Sequence, residues 1–292
     1  MKRVRSLSTS PYEEAMSVNV SEIKQPVKPT GERRVLAYTR VDMQDAMAVW
    51  RRNLLVHLRT WKVQMVAPIM EPIFSVLAFG WGVGALVTSR VQNVPYLTFV
   101  GAGILAFTVI MRALFETTYG AYFRMVYQST YDAILATPVE AESLAFAEIL
   151  WAVTKALIDA VIILMILILF GAATSPWAIL APLPLVFGSF FIAGLSLGIT
   201  AHVHDIDSYN FYMAFFFSLI FMCGAWFPID VLPRPLQFVA WSLPITSAID
   251  LTRAFLTGQF LRRQLLEAFY LLVMAVVFTE WAMRSLRRRM VA

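Results

Sequence analysis

The sequence predicts an all-α polytopic membrane protein: six transmembrane helices, an amino-terminal amphipathic interface helix, and a re-entrant helical segment before the sixth span. Three observations carry that prediction. Of the 292 residues, 59% are hydrophobic and 15% are charged, whereas a soluble domain carries about 25% charged residues. The apolar residues are gathered into runs long enough to cross a bilayer, which takes about 20 residues of helix. Those runs are far too long for barrel strands, and in lipid only a helix or a closed barrel satisfies the backbone.

Residues 1–40 are polar and carry Pro11, Pro26, Pro29 and Gly31. No apolar core of signal-peptide type follows the basic start "MKRVR". This stretch reads as a disordered cytoplasmic tail, and residues 41–290 as the transmembrane domain. The domain opens on "VDMQDAMAVWRRNLLVHLRTWK". Met43, Met47, Trp50, Leu54, Leu58 and Trp61 fall on one helical face at about 100° per residue, with Arg51, Arg52, Arg59 and Lys62 on the neighbouring arc. Trp50 and Trp61 beside Arg51 and Arg52 favour a helix lying in the membrane interface over one packed on protein.

Six apolar runs follow, approximately 63–87, 97–122, 144–170, 178–201, 211–228 and 265–283. Twelve Lys and Arg precede the first, and Arg284, Arg287, Arg288 and Arg289 follow the last. Basic flanks stay inside, and six spans return the chain to its starting side, so both termini are expected in the cytoplasm. Loop 88–96 holds only Arg90, and loop 171–177 holds no basic residue, so both are expected outside. Arg262 and Arg263 also fall outside, against the rule. The stretch 229–264 is semi-apolar and broken by proline. It reads as two short helices dipping back from the outside, with Pro228, Asp230, Pro244, Asp250 and Arg253 as its marked residues.

Charges inside the spans are the candidate functional positions, because each costs about 2.5–3.5 kcal/mol on insertion scales and so faces protein or a cavity. Glu71 lies in the first run, Arg112 and Glu116 in the second. Glu71 and Arg112 come out at similar depth, which predicts a pair between helices. Glu148, Lys155 and Asp159 share one stripe of the third run, with Lys155 and Asp159 spaced to pair at i, i+4. The stripe suits a polar wall along a substrate path or toward a subunit, and equally a structural pairing that fixes helix register. Gly194 and Gly198 form a small-residue face in the fourth run. "HVHDID" at 202–207 reads as a solvated turn, and Cys223 as a buried apolar residue.

No G-x-x-x-x-G-K-[ST] loop occurs, since none of the five lysines follows a glycine. No nucleophile elbow, H-E-x-x-H pair or paired cysteine is present, so no catalytic residue and no metal ligand is assigned. The net charge of +5 is accounted for by the basic flanks, and nucleic acid is not called for.

Five stretches carry a resemblance: "VWRRNLLVHLRTWK", "EPIFSVLAFGWGVGALV", "PYLTFVGAGILA", "FETTYGAYFRMVYQSTYDAILATPVEAESLAFAEILWAVTK" and "GAWFPIDVLPRPLQFVAWSLPITSAIDLTRAFLTG". With the layout above, residues 41–290 resemble the type-2 ABC export permeases, in their NodJ-type branch. The resemblance implies a transport subunit of the cell membrane, the inner membrane in a Gram-negative cell. It implies a homodimer, or a dimer with a similar permease, served by separate ABC ATP-binding subunits that hold ATP and magnesium. It implies outward movement of a lipo-oligosaccharide or lipid-linked glycan, with drug export as the alternative substrate class. Under it, the short segment with Tyr131, Asp132, Ile134 and Leu135 becomes the ATPase-coupling helix. There Ile134 and Leu135 dock while Tyr131 and Asp132 make edge contacts. The rival of a different class is a proton-coupled secondary transporter using Glu71, Lys155 and Asp159.

Overall fold

The computed structural model describes residues 41–87, 91–92, 94–203 and 205–291. The expected tail, Arg90 and His204 lie outside the described residues. Among the described residues the elements are helices, apart from one isolated bridge between Val91 and Val94.

Helix α1 runs Met43–Gln64, and its start is set by Asp42, whose carboxylate accepts from the Gln44 amide at 2.8 Å. Its buried residues are Ala46, Val49, Asn53 and His57, spaced by 3, 4 and 4, so one stripe faces protein. Met43, Met47, Leu58 and Trp61 lie exposed, Trp50 and Leu54 half-buried. The predicted apolar face is thus turned outward. Trp50 is held by its ring N–H, which donates to Thr154 Oγ1 at 3.0 Å.

Helix α2, Val66–Ser75, follows and continues through π-type turns over Val76–Val83. The axis bends by 46° between Met43–Gln64 and Pro68–Val83. Proline cannot supply the i→i−4 amide, and Pro68 and Pro72 sit at and after the bend.

Helix α3, Tyr96–Phe115, extends through π-type segments at Glu116–Gly120 and Phe123–Tyr127. A left-handed Ser129 (φ 47°) ends that extension and starts the short helix α4, Thr130–Leu135. Helix α5, Ala141–Leu169, is the centre of the fold and packs on α1 and α3. Its buried Ala145, Ala152, Ala156 and Ala160 let those neighbours come close. Helix α6 is Pro182–Thr200 and α7 is Asp207–Met222. Two short helices follow, α8 at Arg234–Ser242 and α9 at Pro244–Thr257, and α10 closes the chain at Arg263–Val291.

Among the described residues four helices are long and apolar enough to cross a membrane: Tyr96–Tyr127, Ala141–Leu169, Pro176–Thr200 and Arg263–Met290. A fifth is gained if α1 with Pro68–Val83 is counted as one bent span. The predicted run 211–228 differs most from its expectation. Its helix, α7, has 16 residues, about 24 Å at 1.5 Å per residue, and stops at Cys223. Gly224 then turns the chain at φ 77°, where a Cβ would come within 2.7 Å of Ile229.

The stretch 229–264 does hold two short helices. Pro244 stands at the start of α9, where a missing amide costs nothing. α9 is buried along most of its length between α3, α6 and α10. By contrast, only 22% of the most apolar stretch of α10 is buried, against 83% for Tyr96–Tyr127, so α10 is peripheral.

The contact of α6 with α10 runs over the small-residue face expected from the sequence. A Cβ on Gly194 would lie 2.7–2.8 Å from the backbone of Phe278 and Thr279. Gly194→Ala is therefore expected to force the two helices apart at a cost of about 1–3 kcal/mol. A lower thermal midpoint of the purified protein is the expected reading; an unchanged midpoint would mean that the helices reseat without strain.

Candidate functional site: a buried charge network beside a short helix

The network is built where the widened end of α3 meets the first half of α5. Glu116 and Arg124 are eight residues apart, which at α-helical rotation leaves them about 80° apart round the axis. The intervening turns are i→i+5 turns with less rotation per residue, which brings both side chains toward one face. On α5, Glu148, Trp151 and Lys155 project toward them at spacings of 3 and 4.

Arg124 is the centre. Its Nη1 donates to Glu116 Oε1 at 2.8 Å and its Nη2 to Glu148 Oε2 at 2.5 Å. Lys155 Nζ donates to the other Glu116 oxygen at 2.8 Å, and Trp151 Nε1 to Glu116 Oε1 at 3.2 Å. Asn53 of α1 donates from Nδ2 to Glu148 Oε1 at 3.1 Å. Glu148 is fully buried, so its charge depends on Arg124 and Asn53. One helical turn beyond Lys155, Arg112 pairs with the buried Asp159.

Two expected pairings are corrected. Glu71 does not meet Arg112; it stands exposed on α2, with Thr108 Oγ1 donating to it at 3.4 Å. Depth along two helices fixes height but not which way each helix is turned. Lys155 is bridged to Glu116 on α3 and not to Asp159 on its own helix. The three charges of α5 do share a face, and their partners lie across the helix interface. Arg124 was missed because the apolar run ends at Tyr122, which left Arg124 in a presumed loop.

Beside the network lies a cavity of about 530 Å³, lined by Arg52, His57, Glu116, Arg124, Trp151 and Lys155 among others. Arg51 and Arg52 are exposed on α1, and Arg52 is linked to Asn53 at 3.0 Å.

α4 joins the network through one residue. Tyr131 is fully buried and its hydroxyl is turned toward Arg124 and Glu148, near enough to feel both charges but outside hydrogen-bond geometry. Burial first, and Glu148 next, push its hydroxyl well above its ordinary range, so it stays protonated. This corrects the expected edge contact: Tyr131 points inward. Ile134 and Leu135, the expected docking pair, are half-buried and pack against the core on one side. The face of α4 open to solvent is Asp132, Ala133 and Ala136, continued by Thr137.

A second cluster sits at the opposite end of α3. Asp250 on α9 meets Arg253 at 4.0 Å and Arg263 at 3.2 Å, and accepts from Gln264 Nε2 at 3.3 Å. Arg253 lies 3.9 Å over the Phe99 ring and donates to the Gly224 carbonyl at 2.9 Å. Arg263 also reaches Glu267 at 3.5 Å and lies 4.9 Å over Trp241. Arg263, which broke the charge rule, is thus held by two carboxylates. Pro228 caps the turn Ile229–Val231 and Asp230 sits within it; Asp230 lines the same small cavity as Asp250, Arg253 and Arg263 without pairing to either arginine.

Comparison with known proteins agrees with this architecture. A family model described as ABC-2 type transporter matches residues 44–257. The chain is 32% identical over 246 residues to nodulation protein J of Rhizobium leguminosarum bv. viciae, covering 84% of this chain and 94% of that one. It is 31% identical over 247 residues to nodulation protein J of Rhizobium meliloti, covering 84% and 93%. For nodulation protein J of Sinorhizobium fredii NGR234 the figures are 32% over 212 residues, covering 71% and 79%. With its helices of spanning length and a match over most of its length, this chain belongs to the ABC-2 type transporter family, as a multi-pass membrane permease.

Proposed function

We propose that the chain is the membrane subunit of an ATP-driven exporter that moves a lipo-oligosaccharide or similar lipid-linked glycan outward, powered by a separate ATP-binding subunit. The observation that carries the reading is α4: a six-residue helix with Asp132 on its solvent-facing edge and the buried Tyr131 set beside a charge network linking α1, α3 and α5. A subunit without a nucleotide site needs such a handle. Pressure on Asp132 and its neighbours would reach Arg124 through the buried Tyr131 beside it, and Arg124 grips both long helices.

In this reading the bent α1–α2 pair divides into an interface helix and a first span, α7 with the turn after it forms the fifth span, and α8 and α9 re-enter from outside. Both termini are then cytoplasmic, in the inner membrane of a Gram-negative cell. ATP and magnesium belong to the partner. Glu71 supports a dimer, because it is exposed on an apolar helix beside exposed Met70 and Phe74. A lone carboxylate facing lipid is costly, and a second copy or a similar permease would cover it.

The test is co-purification of the full tagged chain from its native membrane. A nucleotide-binding subunit and ATP-dependent export in vesicles are expected. Export that collapses with an uncoupler while ATP persists would instead point to proton coupling, and a chain recovered without any ATPase would end the proposal.

A further inference from the structure

At the end of the fold that carries Asp250 and Arg263, an apolar groove of about 700 Å³ opens between α6, α9 and α10. Phe187, Phe255, Leu265, Ala268, Phe269 and Leu272 are among its lining residues, and Arg262 stands at its mouth. Arg262 is exposed and makes no ion pair among the described residues, in contrast to Arg263 beside it. The groove therefore pairs a long apolar trough with one uncommitted cation.

Its length has a physical match. From Arg262 to Leu272 the chain climbs about 15 Å at 1.5 Å per residue. That is half of a hydrocarbon core of about 30 Å. The trough is thus long enough to cover one leaflet, with the arginine at the end where a headgroup would lie. α10 is the least buried of the spanning helices, so the groove opens on the outside of this chain's bundle. A protein partner would leave Arg262 needing a carboxylate, while a lipid supplies the anion and the chain together.

We propose that this groove is a binding site for a single anionic phospholipid of the outer leaflet, with one acyl chain in the trough and its phosphate on Arg262. The leaflet rests on the orientation proposed above; the site itself does not. A lipid there would brace α10 against α9, next to the Asp250 cluster.

The experiment is native mass spectrometry of the full complex extracted from vesicles of phosphatidylethanolamine and phosphatidylglycerol. One retained phosphatidylglycerol per chain is expected. A cation near the membrane surface contributes a factor of about five in affinity for anionic lipid, so Arg262→Gln is expected to lower retention about fivefold. Ala268→Trp, at an exposed position, fills the trough and is expected to abolish retention without lowering the thermal midpoint. Equal retention in wild type and both variants overturns the site, as does equal retention of phosphatidylethanolamine. A disulfide dimer formed by Ala268→Cys in membranes assigns the groove to a second copy and also overturns it. Arg262→Cys, in a chain whose native Cys223 is buried, fixes the side. Labelling only from the cytoplasm overturns the outer leaflet and the orientation together, while the retention contrast still reports on the site alone.

Discussion

Arg124→Ala is expected to remove most of the folded protein from the membrane. Among the described residues Arg124 is the only cation bonded to Glu148, which is fully buried, and it shares Glu116 with Lys155. Removing one partner of a buried ion pair strands the other, at about 3–5 kcal/mol, which is of the order of a domain's whole stability. Lys155→Ala is expected to cost less, because Glu116 keeps Arg124 and the Trp151 N–H. The measurement is the thermal midpoint and monodisperse yield of each purified variant. Arg124→Met combined with Glu148→Leu removes both charges and is expected to recover much of the loss, since an apolar pair of similar size is often neutral. A double variant as unstable as Arg124→Ala would show that the pair itself is not the source. A double variant that folds but does not transport would separate the network's structural role from its mechanical one.

What the sequence disclosed, and what it withheld, follows from which quantities are local. The runs that became α3, α5, α6 and α10 are legible because apolar length and composition belong to one segment at a time. The outward face of α1 is legible for the same reason. Partner choice is not local. Glu71 and Arg112 agree in depth, yet Arg112 turns to Asp159, since rotation about each axis is set by packing. The inward turn of Tyr131 was not legible because a tyrosine in a short helix reads alike whether it edges outward or packs inward. Arg124 lay two residues past the apolar run, and the π-type turns that bring it back to Glu116 leave no mark in hydropathy. One signal was available: Arg124 follows Glu116 in an uninterrupted stretch without proline, so the helix could be extended to include Arg124 as a further intramembrane charge.

Asp132→Lys is expected to uncouple the permease from its ATPase while leaving it folded. Asp132 is exposed in the first turn of α4, where the helix dipole favours an acid. A charge that a partner buries and bonds costs about 2–5 kcal/mol when its match is lost, or at least about thirtyfold in affinity. Co-purified ATPase should fall by that factor and transport with it, with the thermal midpoint lowered only by the small dipole contribution of about 0.3–1 kcal/mol. Two further variants divide the pathway. Tyr131→Phe leaves the outer surface of α4 intact and removes only the hydroxyl beside Arg124 and Glu148. It is expected to retain the ATPase but lose much of the transport per ATP hydrolysed. Leu135→Asp buries a charge against the core, so it is expected to fail by misfolding rather than by lost association. Asp132→Lys with full association and transport would move the contact away from α4. Tyr131→Phe at wild-type transport would mean that the force enters the bundle without passing through Arg124.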